Sequence, residues 1–220
     1  LRIQDNAYIH YADGTKELIG YSTADTRWDG IEYTSSGNEY LLYLEGATGR
    51  PYSIGPSSHP HYIDYPLTRG QDSDWGSGIV GHRSTKHYFG APFLDGRHAS
   101  IFLGRGCYTM HKFAAYDVNP STHKLTQRWY WENNVGGPWF GQGYHNFAIG
   151  DVDWDGRDEI IFGSMIIDDN GKGLSTTGLG HGDAQHCSDL DPYRKYEEQF
   201  ACNEDSPAMN YRNAVTSQFY

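Results

Sequence analysis

The segment Asp151-Val-Asp-Trp-Asp-Gly-Arg-Asp-Glu159 constrains this chain more than any other. Carboxylates at loop positions 1, 3, 5 and 9 repel one another unless a hard cation joins them, and the glycine at position 6 permits the sharp reversal that wrapping a cation requires. Asp151, Asp153 and Asp155 can then converge on one calcium ion, with the main-chain carbonyl of Arg157 at position 7 and Glu159 as the closing ligand. An EF-hand carries its closing glutamate at position 12 and runs on into a helix. This chain has Phe162 there, and Ile160, Ile161 and Phe162 favour a strand. The alternative is a polar Asp-Gly turn without metal.

The same lattice recurs at Asp189-Leu-Asp191-Pro-Tyr-Arg-Lys-Tyr-Glu197, with acids at positions 1, 3 and 9 but Tyr193 at position 5. It reads either as a second, weaker calcium loop or as a solvated turn braced by Arg194. A third copy, Phe93-Leu-Asp95-Gly96-Arg97-His98, keeps the turn and the following strand but not the ligands. Between these copies lie strand-turn-strand units at Tyr40–Arg50, Phe113–Trp129 and Met165–Lys172, which predict hairpins. Repetition with decay and units spaced at roughly 40 to 70 residues fit the blades of a β-propeller better than a sandwich. No stretch sustains a helical period, and 27 glycines with 15% aromatics suit tight turns under large rings, so the expected class is all-β.

A net charge of −11 argues against nucleic acid as a partner, and no apolar run approaches the ~20 residues that span a membrane. Cys107, Cys187 and Cys202 lack metal-ligand spacing. Cys187 and Cys202 would pair if the protein is exported, or remain buried thiols. The first residues carry no signal peptide and no start methionine, so a processed or truncated product is expected. Calcium loops of micromolar affinity fill most readily outside the cytosol, which points to an exported protein, extracellular or periplasmic.

Two histidines lie on glycine-rich connections, Gly141-Gln-Gly143-Tyr-His145-Asn and Gly178-Leu-Gly180-His181-Gly182-Asp183. Rigid strands hold such loops while glycines let a ligand approach the backbone, so His145, His181 and Asp183 could share a cleft. An ordinary hydrogen-bonded loop histidine is the alternative.

These motifs, together with Arg105-Gly-Cys-Tyr108-Thr, Asp74-Trp-Gly76, Gly81-His-Arg83-Ser84 and Asp189-Leu-Asp-Pro, resemble the polysaccharide lyase family 11 rhamnogalacturonan lyases over roughly residues 35 to 210. The resemblance implies an eight-bladed, calcium-binding propeller that cleaves the rhamnose–galacturonate backbone of pectin by β-elimination. It places cleft calcium ligands on His145, Asp151, His181, Asp183 and Glu204. Arg83 and Arg105 are the cations in matching motifs, either substrate-binding or braces for a turn or strand. No catalytic base is assigned, because the family's basic cleft residues fall in later blades.

Eight blades of about 40 to 50 residues need well over 300 residues. Residues 1–220 are therefore expected to form about four blades, half of the ring, with no separate second domain. The remainder would lie in the same or a cleaved chain, as when this is the N-terminal part of the lyase, and would cover the exposed strand edges. The competing function is a non-enzymatic calcium propeller of the adhesion or carbohydrate-binding kind, which needs the Asp-x-Asp-x-Asp-Gly loop but not the Gly-His-Gly-Asp segment.

Overall fold

The computed structural model describes residues 1–4, 7–20, 37–76, 78 and 81–220; the start of the resembling stretch, at residues 35–36, lies outside them. Among the described residues the chain is all-β. Its helical content is one 3-10 turn, Asp72–Trp75, and no helix is long and apolar enough to cross a membrane. Strands β1 (Arg2–Gln4), β2 (Ala7–His10), β3 (Lys16–Ile19), β4 (Glu39–Leu41) and β5 (Ile63–Asp64) make a β2-β3 hairpin and a sheet in the order β1-β4-β5. A four-stranded antiparallel meander follows, β6 (His87–Gly90), β7 (Ile101–Arg105), β8 (Lys112–Val118) and β9 (Leu125–Glu132). A second meander comprises β10 (Ala148–Gly150), β11 (Glu159–Phe162), β12 (Met165–Ile167) and β13 (Gly173–Thr176). Strands β14 (Gly182–Ser188), β15 (Glu198–Asn203) and β16 (Met209–Asn213) form the last sheet. No sheet among the described residues closes on itself.

Successive sheets stack face to face, and the pleat shows it residue by residue. On β8, Phe113 and Ala115 face one core with Phe102, Ile160, Phe162, Met165 and Ile167, whereas Ala114 and Tyr116 face another with Leu41, Tyr65 and Leu67. On β11 and β12, Ile161 and Ile166 turn the opposite way, to Val152 and Ala214. A sheet covered on both faces needs apolar residues at consecutive positions, which explains why Ile160-Ile161-Phe162 and Met165-Ile166-Ile167 show no polar alternation.

The predicted hairpins at 113–129 and 165–172 are β8-β9 and the start of β12-β13. The unit at 40–50 is looser. Beyond β4 it is held by a Leu44–Pro51 bridge and by the Glu45 N–H on the Arg50 carbonyl. The ligand-free copy docks directly on the first loop. The Phe93 N–H donates to Asp158, the Asp158 N–H donates to the Phe93 carbonyl, and Gly96, at φ +70°, leaves no room for a Cβ against the Gly156 carbonyl. Cys187 and Cys202 are free thiols on adjacent strands. The register sets Cys187 opposite Gln199 and Cys202 opposite Ala184, so they do not face each other.

Burial also holds histidines neutral. His111 is fully buried with Nε2 unpartnered, and its pKa is pushed down to about 3, chiefly by desolvation; His87 is shifted likewise. Between about pH 6.5 and 3 the unfolded chain binds a proton at each that the folded chain refuses. Stability is therefore present above pH 6.5 and lost as pH falls, by up to about 1.4 kcal/mol per pH unit for His111. Urea midpoints in saturating calcium should drop between pH 7 and pH 5, and an unchanged midpoint would contradict this assignment.

Candidate functional site

Four loops meet at one end of the sheets. The turn after β7 carries Cys107 and Tyr108, the approach to β10 carries Gly141–His145, the approach to β14 carries Gly178–Asp183, and the end of β15 leads into Glu204. Main-chain contacts lock them together. Tyr108 bridges Gly143, the Gly141 N–H donates to the Thr109 carbonyl, and the Glu204 N–H donates to the His181 carbonyl. The Gln142 side chain accepts the Gly180 N–H at 3.1 Å, while Asn203 Nδ2 donates to the carbonyls of Leu179 and Gly180. Glycine is required where backbones pass this closely. A Cβ on Gly143 would overlap the Nε2 edge of the His111 ring, and one on Gly182 would meet the Cys202 carbonyl and the Tyr144 ring.

The result is a cluster in which His145, His181, Asp183 and Glu204 each offer a ligand atom within 4.8 Å of the others. His145 Nε2 lies 3.7 Å from Asp183 Oδ1, and His181 Nε2 lies 3.7 Å from Glu204 Oε1. His181 Nδ1 donates to the Gly143 carbonyl at 2.5 Å, so Nε2 carries the free lone pair. Asp183 reaches the cluster because the β14-β15 register slips between Gly182 and Ala184. Such a bulge turns one side chain out of the ladder. Desolvation and the neighbouring His181 hold His145 below the usual histidine range, which keeps it neutral and able to accept a cation. Asp151, implied as a fifth ligand here, lies elsewhere.

Tyr108 stands at the centre. Its hydroxyl is 3.2 Å from His145 Nε2, its ring centroid is 3.9 Å from that of His181, and the Arg83 guanidinium lies 4.7 Å from the ring. It holds φ at +74°, an unfavourable backbone for a bulky side chain, and such strain gathers at sites that need a fixed side chain. The sequence placed Tyr108 in a matching motif but gave it no role. Arg83 is beside the cluster, donating to the Trp75 carbonyl at 3.1 Å. Arg105 is not available to a substrate. It is fully buried, ion-paired with Glu39 and hydrogen-bonded to the carbonyls of Leu67 and Ser84, and so serves as a brace.

The first acidic loop is a separate centre. Asp151, Asp153 and Glu159 lie within 4.8 Å of one another, and Glu159 does so again with Asp168 and Asp169 of the β12-β13 turn. Glu159 is fully buried. Its Oε2 accepts the Val152 N–H at 2.8 Å and its Oε1 has no partner; burial, then the neighbouring aspartates, pushes its pKa up to about 9. An orphaned carboxylate oxygen among four aspartates is the donor set a calcium ion satisfies, so the residues present fit that ion. Asp155 is absent from the cluster; its carboxylate caps the Arg157 N–H. Asp168 and Asp169 were read only as turn residues, because nothing in the local spacing ties them to Glu159.

The second loop shows the Arg194 brace that the sequence offered beside a calcium site. Asp191 pairs with Arg194 at 3.1 Å and caps the Tyr193 N–H, so among the described residues Asp189, Asp191 and Glu197 form no ligand cluster. Glu198, not Glu197, takes the place of Glu159. It is fully buried, and its Oε2 accepts the N–H groups of Leu190 and Asp191 at 3.0 Å while Oε1 is unpartnered. Successive residues of an extended chain point to opposite faces, so Glu197, one residue before β15, faces away from Glu198.

Replacing Gly182 by alanine should cost about 1–3 kcal/mol, since the new methyl meets a backbone carbonyl that cannot move freely. A melting curve matching wild type would count against this packing.

Comparison with known proteins adds the family. Residues 6–220 match the model of the rhamnogalacturonan lyase family 11 C-terminal domain, which replaces the expectation of an N-terminal part. The chain is 39% identical over 211 residues to both the rhamnogalacturonan exolyase YesX and the rhamnogalacturonan endolyase YesW of Bacillus subtilis strain 168, covering 94% of this chain and 32% of each relative. The crystal structure of YesW superposes with a TM-score of 0.84 at 36% identity, covering 99% of this chain and 36% of that one. The Bacillus licheniformis rhamnogalacturonan lyase PL11 superposes with a TM-score of 0.84 at 35% identity, covering 99% of this chain and 35% of that one. The chain thus spans about a third of the length of the curated relatives it matches.

Proposed function

The chain belongs to rhamnogalacturonan lyase family 11, and from that membership we propose that it is part of a calcium-dependent lyase that cleaves the rhamnose–galacturonate backbone of rhamnogalacturonan I by β-elimination. The observation that carries the reading is the convergence of His145, His181, Asp183 and Glu204 from three loops at one end of stacked sheets. That donor set is half oxygen and half imidazole. It holds a divalent cation while leaving positions open for a uronate carboxylate.

Elimination removes the proton on C5 of galacturonate, α to its carboxylate, and expels the C4 oxygen. Calcium, when bound, would neutralise the carboxylate and stabilise the charge that develops beside it. The chain's own residues supply position. The Gly143 carbonyl accepts from the His181 ring and the Glu204 N–H donates to the His181 carbonyl, Tyr108 sets both imidazole rings, and Arg83 adds positive charge behind Tyr108. The stack of sheets in chain order, two with four strands, supports the reading of about four blades of an eight-bladed ring. The remaining blades would belong to the longer protein, which is exported to reach its pectic substrate.

The full-length enzyme with rhamnogalacturonan I should give products absorbing in the ultraviolet as unsaturated uronides, and chelation should stop their formation. Saturated, hydrolysed ends would sink the elimination reading.

A further inference from the structure

The imidazole pair that faces Asp183 and Glu204 on one side meets a thiol on the other. Cys107 Sγ lies 3.4 Å from His145 Nδ1, and Cys107, His145 and His181 offer donor atoms within 4.8 Å of one another. Donors bound at ~2.3 Å for sulfur and ~2.0–2.1 Å for nitrogen on one tetrahedral ion stand roughly 3.5 Å apart, so the pair is already at ligand spacing. His181 gives an independent sign. Its side chain is 9% exposed, Nδ1 is committed to the Gly143 carbonyl, and Nε2 points at the cluster without a hydrogen-bond partner. A histidine anchored through one nitrogen to a carbonyl, with the other bare, is oriented for a metal. A thiol with two imidazoles is a poor set for calcium, which takes oxygen, and a good one for zinc-class ions.

We propose that Cys107, His145 through Nδ1 and His181 through Nε2 form a thiophilic cation site for a zinc-class ion, with water at the fourth position, and that this ion and calcium exclude one another because both need His181 Nε2. Binding moves the Cys107 thiol proton to solvent and leaves the thiolate on the metal. His145, with about a third of its side chain exposed, is the face by which the ion enters. The consequence is an inhibitory site: a zinc-class ion empties the oxygen-facing side of the cleft of the cation proposed to bind substrate. This rests on the cluster being a metal site. Because metal binding is read directly, its failure is distinguishable from failure of the lyase reading, which is decided by the unsaturated product.

The test is titration of Co2+ and Zn2+ into the chelator-stripped, full-length protein. Co2+ should produce a near-ultraviolet thiolate charge-transfer band with tetrahedral visible bands, and added calcium should compete it away. Cys107→Ser should abolish that band and weaken Zn2+ binding by at least about 100-fold, the top of the range for losing a mere supporting contact. Cys187→Ser and Cys202→Ser should leave both unchanged. Should Cys107→Ser not fold, protection of Cys107 in the wild type from alkylation by bound Zn2+, mapped by mass spectrometry, decides instead. Absence of the band, its survival in Cys107→Ser, or unprotected Cys107 at saturating Zn2+ would overturn the site.

Discussion

Calcium should raise the melting temperature of the protein strongly at pH 8 and little at pH 5. The cause is Glu159, a buried carboxyl whose Oε1 has no partner and whose pKa is pushed up to about 9 by burial and the surrounding aspartates. In chelator the folded chain keeps a proton on Glu159 that the unfolded chain releases above about pH 4.5. Stability is then greatest below that value and declines by up to about 1.4 kcal/mol per pH unit until the pH passes 9. A calcium ion among Asp151, Asp153, Glu159, Asp168 and Asp169 displaces that proton, so its apparent affinity rises with pH across the same window. At free calcium roughly a thousand times the dissociation constant the gain is about 4 kcal/mol. Glu159→Gln should remove the calcium response while making the chelated protein less sensitive to alkaline pH. A calcium shift of equal size at pH 5 and pH 8, or one that survives Glu159→Gln, would show that this loop is not the ion's seat.

Asp183→Asn should cut elimination by the full-length enzyme by at least about 10- to 100-fold with the fold intact. Asp183 is the residue turned out by the bulge, 71% exposed, and its electrostatic partner is His145. Removing its charge leaves side-chain size almost unchanged and so should alter stability by no more than about 0.5 kcal/mol. It also takes one of two carboxylates from a site whose other donors are imidazoles, a loss that falls on cation affinity. Raising calcium should restore part of the rate if affinity is the cause. Asp189→Asn, on the exposed second loop, is the control. Wild-type rates for Asp183→Asn at limiting calcium would mean that the catalytic cation is held elsewhere.

Much of this arrangement was legible because it is local. The Asp-x-Asp-x-Asp-Gly loop, the hairpins of β8-β9 and β12-β13, and the two glycine-flanked histidines each depend on residues within about ten positions of one another, where turn chemistry and strand period act. The apolar runs on β11 and β12 marked strands covered on both faces. What the sequence left open or missed had a tertiary cause. Glu197 was named and Glu198 given no role, because spacing alone cannot tell which face of a strand the sheet will bury. Arg105 sat in the right motif, but its guanidinium was claimed by Glu39, 66 residues earlier.

Sequence by itself therefore determined the class, the first acidic loop and the types of donor in the cleft, all set by short-range rules. Tertiary structure decided which donors meet. It moved Asp151 out of the imidazole cluster, brought Asp168 and Asp169 to Glu159 across the β12-β13 turn, and set Cys107 and Tyr108 against His145, 38 and 37 residues away. Those pairings follow from the stacking of successive sheets, whose order at the loop ends depends on which faces pack together. No local pattern encodes that.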